Sequence, residues 1–241
     1  MASIVVVDNE RHRDIRVLCQ PKLCPQDGLG YIQVFPSELD SVHKEYPVFI
    51  KKNHDTGEFL LVALLSLDPD KNINLKNGRW DSKYIPMMAR RGPFIIGRSG
   101  DSLNLCVDLE DRRVGREGER LFSQDGEPLE LANKAARLLS FIHQGYQENE
   151  NFFKVLDAES LIESLAVESF QGVSGSSLKG LYSINPNKLR KLSGCSLERL
   201  NSAGFLQRAY FLASSATNIG SLFNNTNCSE KVWVATEEKI S

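Results

Sequence analysis

The side chains that could do chemistry in this chain are four histidines, five cysteines and a broad scatter of carboxylates. His12 and Asp14 have the local form that opens a two-histidine, one-carboxylate iron site, because residues two apart on a strand share a face. A second histidine would have to be His43, His54 or His143. These fall on an amphipathic helix, in a turn and near a helix end, so the triad is not assembled by the sequence. His12 and Asp14 therefore stand as the only metal candidates, and the expectation is no metal and no cofactor. Cysteine–histidine catalysis would need Cys106 or Cys195 beside a histidine in space, which spacing does not show. Cys106 lies on an alternating strand and is read as a structural thiol on its polar side or rim. Gly175 to Gly180 is like part of a phosphate loop but lacks the closing Gly-Lys-Ser/Thr. Gly172 to Ser176 lacks the last glycine of a nucleophile elbow. No acid/base pair stands out among the carboxylates. No catalytic residue is assigned.

Arg79, Trp80, Asp81 and Tyr84 form a different kind of cluster. Arg, Trp and Tyr dominate the energetic centres of binding interfaces, because each combines a large contact area with a polar or charged handle. The four are read as a recognition patch. The competing reading is a core tryptophan bracketed by a local ion pair.

These residues belong to Glu45–Gly97, the stretch around which the chain is organised. Pro47 to Lys52 is β-prone, Asn53 to Gly57 is a turn, and Glu58 to Ser66 is nearly continuous apolar sequence, as in a strand buried on both faces. The two runs predict an antiparallel hairpin. Asp68 to Asn72 turns the chain again, and Asn77-Gly78 is a strong two-residue hairpin signal. Tyr84-Ile-Pro86 and a further strand follow.

Upstream, Ile4–Val7, His12–Leu18 and Tyr31–Phe35 are strand candidates, with a Pro- and Gly-rich loop over Pro21–Gly30. Ser37 is placed to cap a short helix carrying Leu39, Val42, His43 and Tyr46. Downstream, Leu103, Leu105 and Val107 alternate with polar residues, again a half-buried strand. The run Arg112, Arg113, Arg116, Arg120 is interleaved with acids and reads as a solvated loop. Leu129–His143 predicts a helix capped by Gly145, and Asn149–Leu156 a second one. Leu165–Phe170 and Leu178–Ile184 predict a second hairpin. Helices from Pro186, Ser196 and Phe205 follow, the last with Leu206, Tyr210, Ala213, Ile219 and Leu222 as apolar positions. Strands gather in the first half and helices in the second, so the fold class is α+β and antiparallel. One domain is expected over 1–223, β-rich over 1–122 and helix-rich over 123–223. A polar tail spans 224–241, with two Asn-x-Ser/Thr sequons.

With 41% hydrophobic and 25% charged residues and a net charge of −2, the composition is that of a globular chain with no bulk field for nucleic acid or anionic lipid. The cysteines are odd in number and unpatterned, which suits free thiols in a reducing compartment. The start has no basic n-region, and no apolar run reaches membrane-spanning length. A cytoplasmic protein is expected, with a signal-less route to the surface as the alternative. A protein partner and self-association are the partner expectations; nucleic acid and an integral membrane segment are not expected.

Glu45–Phe49, Thr56-Gly57, Phe59, Val62–Leu65, Asn72, Gly78–Trp80, Tyr84–Pro86, Arg90-Arg91 and Pro93-Phe94 together resemble the SapC family. The start at His12 and the region from Gly180 through Leu200 to Gly204 are similar to it as well, so the likeness covers about Asn9 to Phe223. The resemblance implies a bacterial protein named for surface-layer loci, whose relatives lie near genes for outer-membrane transporters, halogenases and cupin-like oxygenases. It carries no catalytic residues. It implies an accessory or binding protein of a surface-layer or outer-membrane uptake system. The alternative is an enzyme: an iron-dependent oxygenase or a peptide-modifying partner of neighbouring enzymes.

Overall fold

The computed structural model describes residues 3–18, 30–53, 56–68, 71–76, 79–100, 102–165 and 180–224. In chain order the elements are β1 (Ile4–Val6), β2 (Arg16–Val17), β3 (Tyr31–Val34), α1 (Leu39–Val42), β4 (Val48–Lys52), β5 (Phe59–Leu64), β6 (Leu75–Lys76) and β7 (Arg79–Trp80). Next come α2 (Met87–Arg90), β8 (Phe94–Ser99), β9 (Ser102–Asp108), β10 (Val114–Gly115), β11 (Glu119–Arg120) and α3 (Glu130–Ala158). The last described elements are β12 (Ile162–Ser164), β13 (Leu181–Ile184), α4 (Pro186–Arg190), α5 (Gly194–Ser202), α6 (Leu206–Ser215) and α7 (Ile219–Asn224). All strand pairs are antiparallel, strands lie mostly in the first half, and the longer helices in the second, so the fold is α+β.

The chain forms two compact units. One comprises Gly28–Asn74 and Asn149–Ser241. Its sheet has the order β12-β13-β4-β5-β3. The register Val48↔Ala63, Phe49↔Val62 puts Phe49, Val62 and Leu64 on one face and Val48, Ile50, Leu61 and Ala63 on the other. All seven are buried, which explains why β5 reads as uninterrupted apolar sequence. Ile219 and Leu222 of α7 pack with Phe49, Val62 and Leu64. Phe153 at the end of α3 meets Phe59, whose odd register position places it on the opposite face. Ser215 of α6 is fully buried, where its hydroxyl accepts the Val48 N–H at 3.2 Å and lies 2.7 Å from the Leu212 carbonyl.

The other unit comprises Met1–Asp27 and Leu75–Glu148. It holds the sheet β1-β9-β8, the small sheet β10-β2-β11 and the β6–β7 hairpin. Trp80 pairs with Leu75 and Arg79 with Lys76; the turn expected at Asn77-Gly78 lies outside the described residues. The first part of α3 supplies its helical wall.

Several expectations need correction. Residues 9–14 form turns, not a strand, and only Arg16–Val17 pairs. Asp8 sets that turn: its carboxylate accepts the N–H groups of Glu10 and Arg11. The helix expected at Ser37 opens one residue earlier at Pro36 as a 3-10 turn, and the Glu38 carboxylate satisfies the Phe35 N–H at 3.0 Å. Gly145 does not end a helix. It is buried in the middle of the 29-residue α3, because the stripe of Leu139, Ile142, Asn149, Phe152, Phe153 and Leu156 continues in phase across it. Tertiary packing of that stripe outweighs the ~1 kcal/mol that a mid-helix glycine costs. β13 pairs with Ile162–Ser164; the strand expected over Leu165–Phe170 lies, beyond Leu165, outside the described residues, as do both glycine-rich turns apart from Gly180. Tyr210 is 44% exposed, and α6 buries Ala209 and Leu212 instead. The expected loop over Pro21–Gly30 and the tail with its sequons fall almost wholly outside the described residues.

Two helix ends share one geometry and differ in one residue. At the end of α5, Phe205 N–H bonds to Leu200 C=O and Gly204 N–H to Asn201 C=O, with Gly204 at φ 73°. At the end of α3, Leu161 N–H bonds to Leu156 C=O and Ser160 N–H to Asp157 C=O, with Ser160 at φ 51°. Both are Schellman ends, which favour glycine at the left-handed position. A side chain there costs about 1–2 kcal/mol, partly offset by the flexibility that glycine adds to the unfolded chain. Ser160→Gly is expected to stabilise by about 0.5–1 kcal/mol and Gly204→Ala to destabilise by about 1 kcal/mol, read from urea midpoints at constant m.

Candidate functional site

Within the unit formed by Met1–Asp27 and Leu75–Glu148 lies a cleft of about 300 Å³. Its apolar lining includes Trp80 at the end of β7, Ile85, Val17 and Phe94. α3 adds Leu131, Ala135 and Leu138, which follow helical i, i+4, i+7 spacing and so share one face of the helix. That part of the apolar stripe was legible as a core face; here Leu131 and Leu138 stay half-buried and turned to the cleft.

The positive groups are Arg90, Arg91, Arg113 and Lys134. Arg90 and Arg91 are placed by α2, a helix not foreseen from the sequence. Its end is nonetheless written in Arg91-Gly92-Pro93: Gly92 takes the left-handed conformation at φ 64°, and a proline follows. Gly92 also runs beside Arg113, since a Cβ there would come within 3.8 Å of Nη1.

Arg113 corrects the reading of its loop as solvated. Arg112 and Arg116 are exposed, but the Arg113 side chain is only 5% exposed and that of Asp111 6%. Asp111 Oδ1 accepts from Arg113 Nε at 2.8 Å and from the Arg113 N–H at 2.9 Å, while Oδ2 accepts from Nη2. Burial alone would push the Asp111 carboxyl up, but the hydrogen bonds and charge of Arg113 more than offset it and hold the group below the ordinary carboxylate range. Lys134 pairs with Glu130 at 2.7 Å on the surface, where both side chains are more than 60% exposed and the pair contributes little.

The residues expected to form a patch separate. Trp80 is half-buried at the cleft, so it is neither a sealed core residue nor wholly exposed. Tyr84 is half-buried, with the Arg90 guanidinium 5.7 Å from its ring centre. Asp81 is exposed and pairs with Lys76 at 2.6 Å. Arg79 is placed by its backbone in β7; its side chain lies outside the described residues. His12 is half-buried in the turn after β1, where its Nδ1 accepts the Asp8 N–H at 2.9 Å; Asp14 is exposed. The two thus lack the shared strand face the iron reading required. Among the described residues no group of three or more His, Cys, Asp or Glu side chains is placed to hold a metal ion. Cys106 is 3% exposed and not at a rim: its Sγ occupies the space that a side chain at Gly97 would need. Cys106 and Cys195 are free thiols.

The SapC profile matches residues 7–222, a span that contains every residue of the cleft. The chain belongs to the SapC family. No curated protein and no solved structure matches it. Among the described residues of this SapC chain no helix is long and apolar enough to cross a membrane.

Removing one partner of the Asp111–Arg113 pair would strand the other charge in a buried site, at a cost of about 3–5 kcal/mol. Arg113→Met is therefore expected to lower stability by that amount, and Asp111→Asn with Arg113→Met to recover most of it, measured by denaturant unfolding as a double-mutant cycle. Because the Asp111 carboxyl is depressed in the folded protein, its contribution is complete at neutral pH and lost as pH falls through and below the ordinary carboxylate range. In Arg113→Met that acid-side loss is expected to disappear.

Proposed function

We propose that this SapC protein is a non-enzymatic binding protein and that the Trp80 cleft is its recognition site. The observation that carries the reading is a half-buried indole lining a largely apolar cleft together with arginines. An amphipathic ring, aliphatic walls and fixed positive charge are what a site needs in order to grip and orient a ligand. Guanidinium groups stay protonated throughout the physiological range, so they hold charge and do not exchange protons. The setting, as an accessory of a bacterial surface-layer or outer-membrane uptake system, rests on the family alone. A protein partner and a cytoplasmic location belong to the same proposal.

Trp80→Ala tests it. The tagged wild type and variant are recovered from native cells, bound proteins and small molecules are compared by mass spectrometry, and thermal unfolding is measured in parallel. The expected result is loss of the bound component with a Tm drop of only about 2–8 °C, as for ~1–2 kcal/mol in a chain of this size. Equal recovery by both proteins would remove the cleft as the recognition site. Global unfolding of the variant would return Trp80 to the core.

A further inference from the structure

From the charge balance of the cleft we infer that its ligand is a small monoanion with an apolar body: a free carboxylic acid read by Arg91. This rests on the binding reading above and gives the site its ligand class. Four cations border the cleft, Arg90, Arg91, Arg113 and Lys134, against three acids at or paired to it, Asp111, Glu119 and Glu130, which leaves one positive charge in excess. The assignment of that charge follows from the pairing. Arg113 is spent on Asp111. Lys134 is held by Glu130 and also feels Glu119. Arg90 is exposed and sits against Tyr84. Arg91 is half-buried and has no ion-pair partner among the described residues. A guanidinium in that position presents a planar fork suited to a carboxylate, which a neutral ligand would leave unused.

Size narrows the class further. A volume of about 300 Å³ lies at the small end of ligand pockets and fits one ring or a short alkyl chain, not a stretch of polypeptide. The apolar walls of Trp80, Ile85, Phe94 and Leu138 would take that body.

The chain has two tryptophans, Trp80 and Trp233, so the full chain carrying Trp233→Phe has Trp80 as its sole indole reporter. It is titrated with 3-phenylpropionate and with 3-phenylpropionamide, which match in shape and differ in charge. The acid is expected to saturate the fluorescence change and to bind at least about tenfold more tightly than the amide, since only the acid makes a charge-assisted hydrogen bond to the guanidinium. Arg91→Gln is expected to weaken the acid about tenfold and leave the amide unchanged. If that variant fails to fold, Arg91→Lys replaces it, with the acid weakened severalfold through loss of the fork. Equal binding of acid and amide overturns the charge assignment while the recognition reading survives. Failure of both probes, with the Trp80→Ala loss of a native component intact, overturns the ligand class alone. A peptide ending in phenylalanine that binds more than tenfold better than the free acid overturns the small-molecule assignment.

Discussion

A guanidinium taken out of water must be paired where it lies, and in this fold that requirement falls on Arg113. Asp111, two residues earlier, meets it at both the side chain and the backbone N–H. The same loop is tied to β2, because the Leu18 N–H donates to the Arg113 carbonyl at 2.9 Å and Val17 pairs with both Val114 and Glu119. Gly118 lets the chain close over β2: at φ 105°, any side chain there would overlap the Val17 carbonyl. A buried pair of this kind gives little net stability against an apolar replacement. Its consequence is positional. It fixes one part of the cleft lining and neutralises the buried cation there.

That neutralisation gives the remaining arginines their meaning. On a surface a cluster of four cations would be diffuse and screened within a Debye length. Here two of the four are committed to carboxylates, one exposed pair and one buried, and they differ in worth because solvent screens the Lys134–Glu130 pair and not the Arg113–Asp111 pair. Arg91 is left between the end of α2 and the turn at Gly92, where its backbone is fixed by a hydrogen bond from its N–H to Met87 and by one from Phe94 N–H to its carbonyl. Its charge is felt by Tyr146, whose phenol burial pushes up and Arg91 draws down, with burial the larger influence.

What the sequence disclosed depended on how local each signal was. The β4–β5 and β6–β7 hairpins were legible because turn chemistry and alternation act over a few residues, and their register follows from loop length. Trp80 and Tyr84 were legible as residue types suited to recognition, but not as neighbours of Arg90 and Leu138, which are brought together only by tertiary packing. Arg113 looked like its neighbours Arg112 and Arg116; nothing within the run marks which one is buried, although Asp111 at two residues' spacing was a visible partner. Gly145 reads as a stop inside α3 because glycine is a local stop signal, while the stripe that overrides it is satisfied only by the folded core. α2 is a single turn, too short for periodicity, and only the Arg91-Gly92-Pro93 ending marks it.

Under the recognition role proposed above, the ionisable groups around the cleft are there to hold charge. A general acid or base works near its own pKa, so a site built to move protons brings a group close to neutrality by burial or by opposed charges. The buried carboxyl here is driven the other way: Asp111 is held below the carboxylate range by Arg113. Such a site keeps one constant electrostatic face across physiological pH, with Trp80 and the α3 leucines supplying shape. Constancy of charge serves a site that must hold the same ligand under changing conditions, which is what the proposed recognition role asks of it.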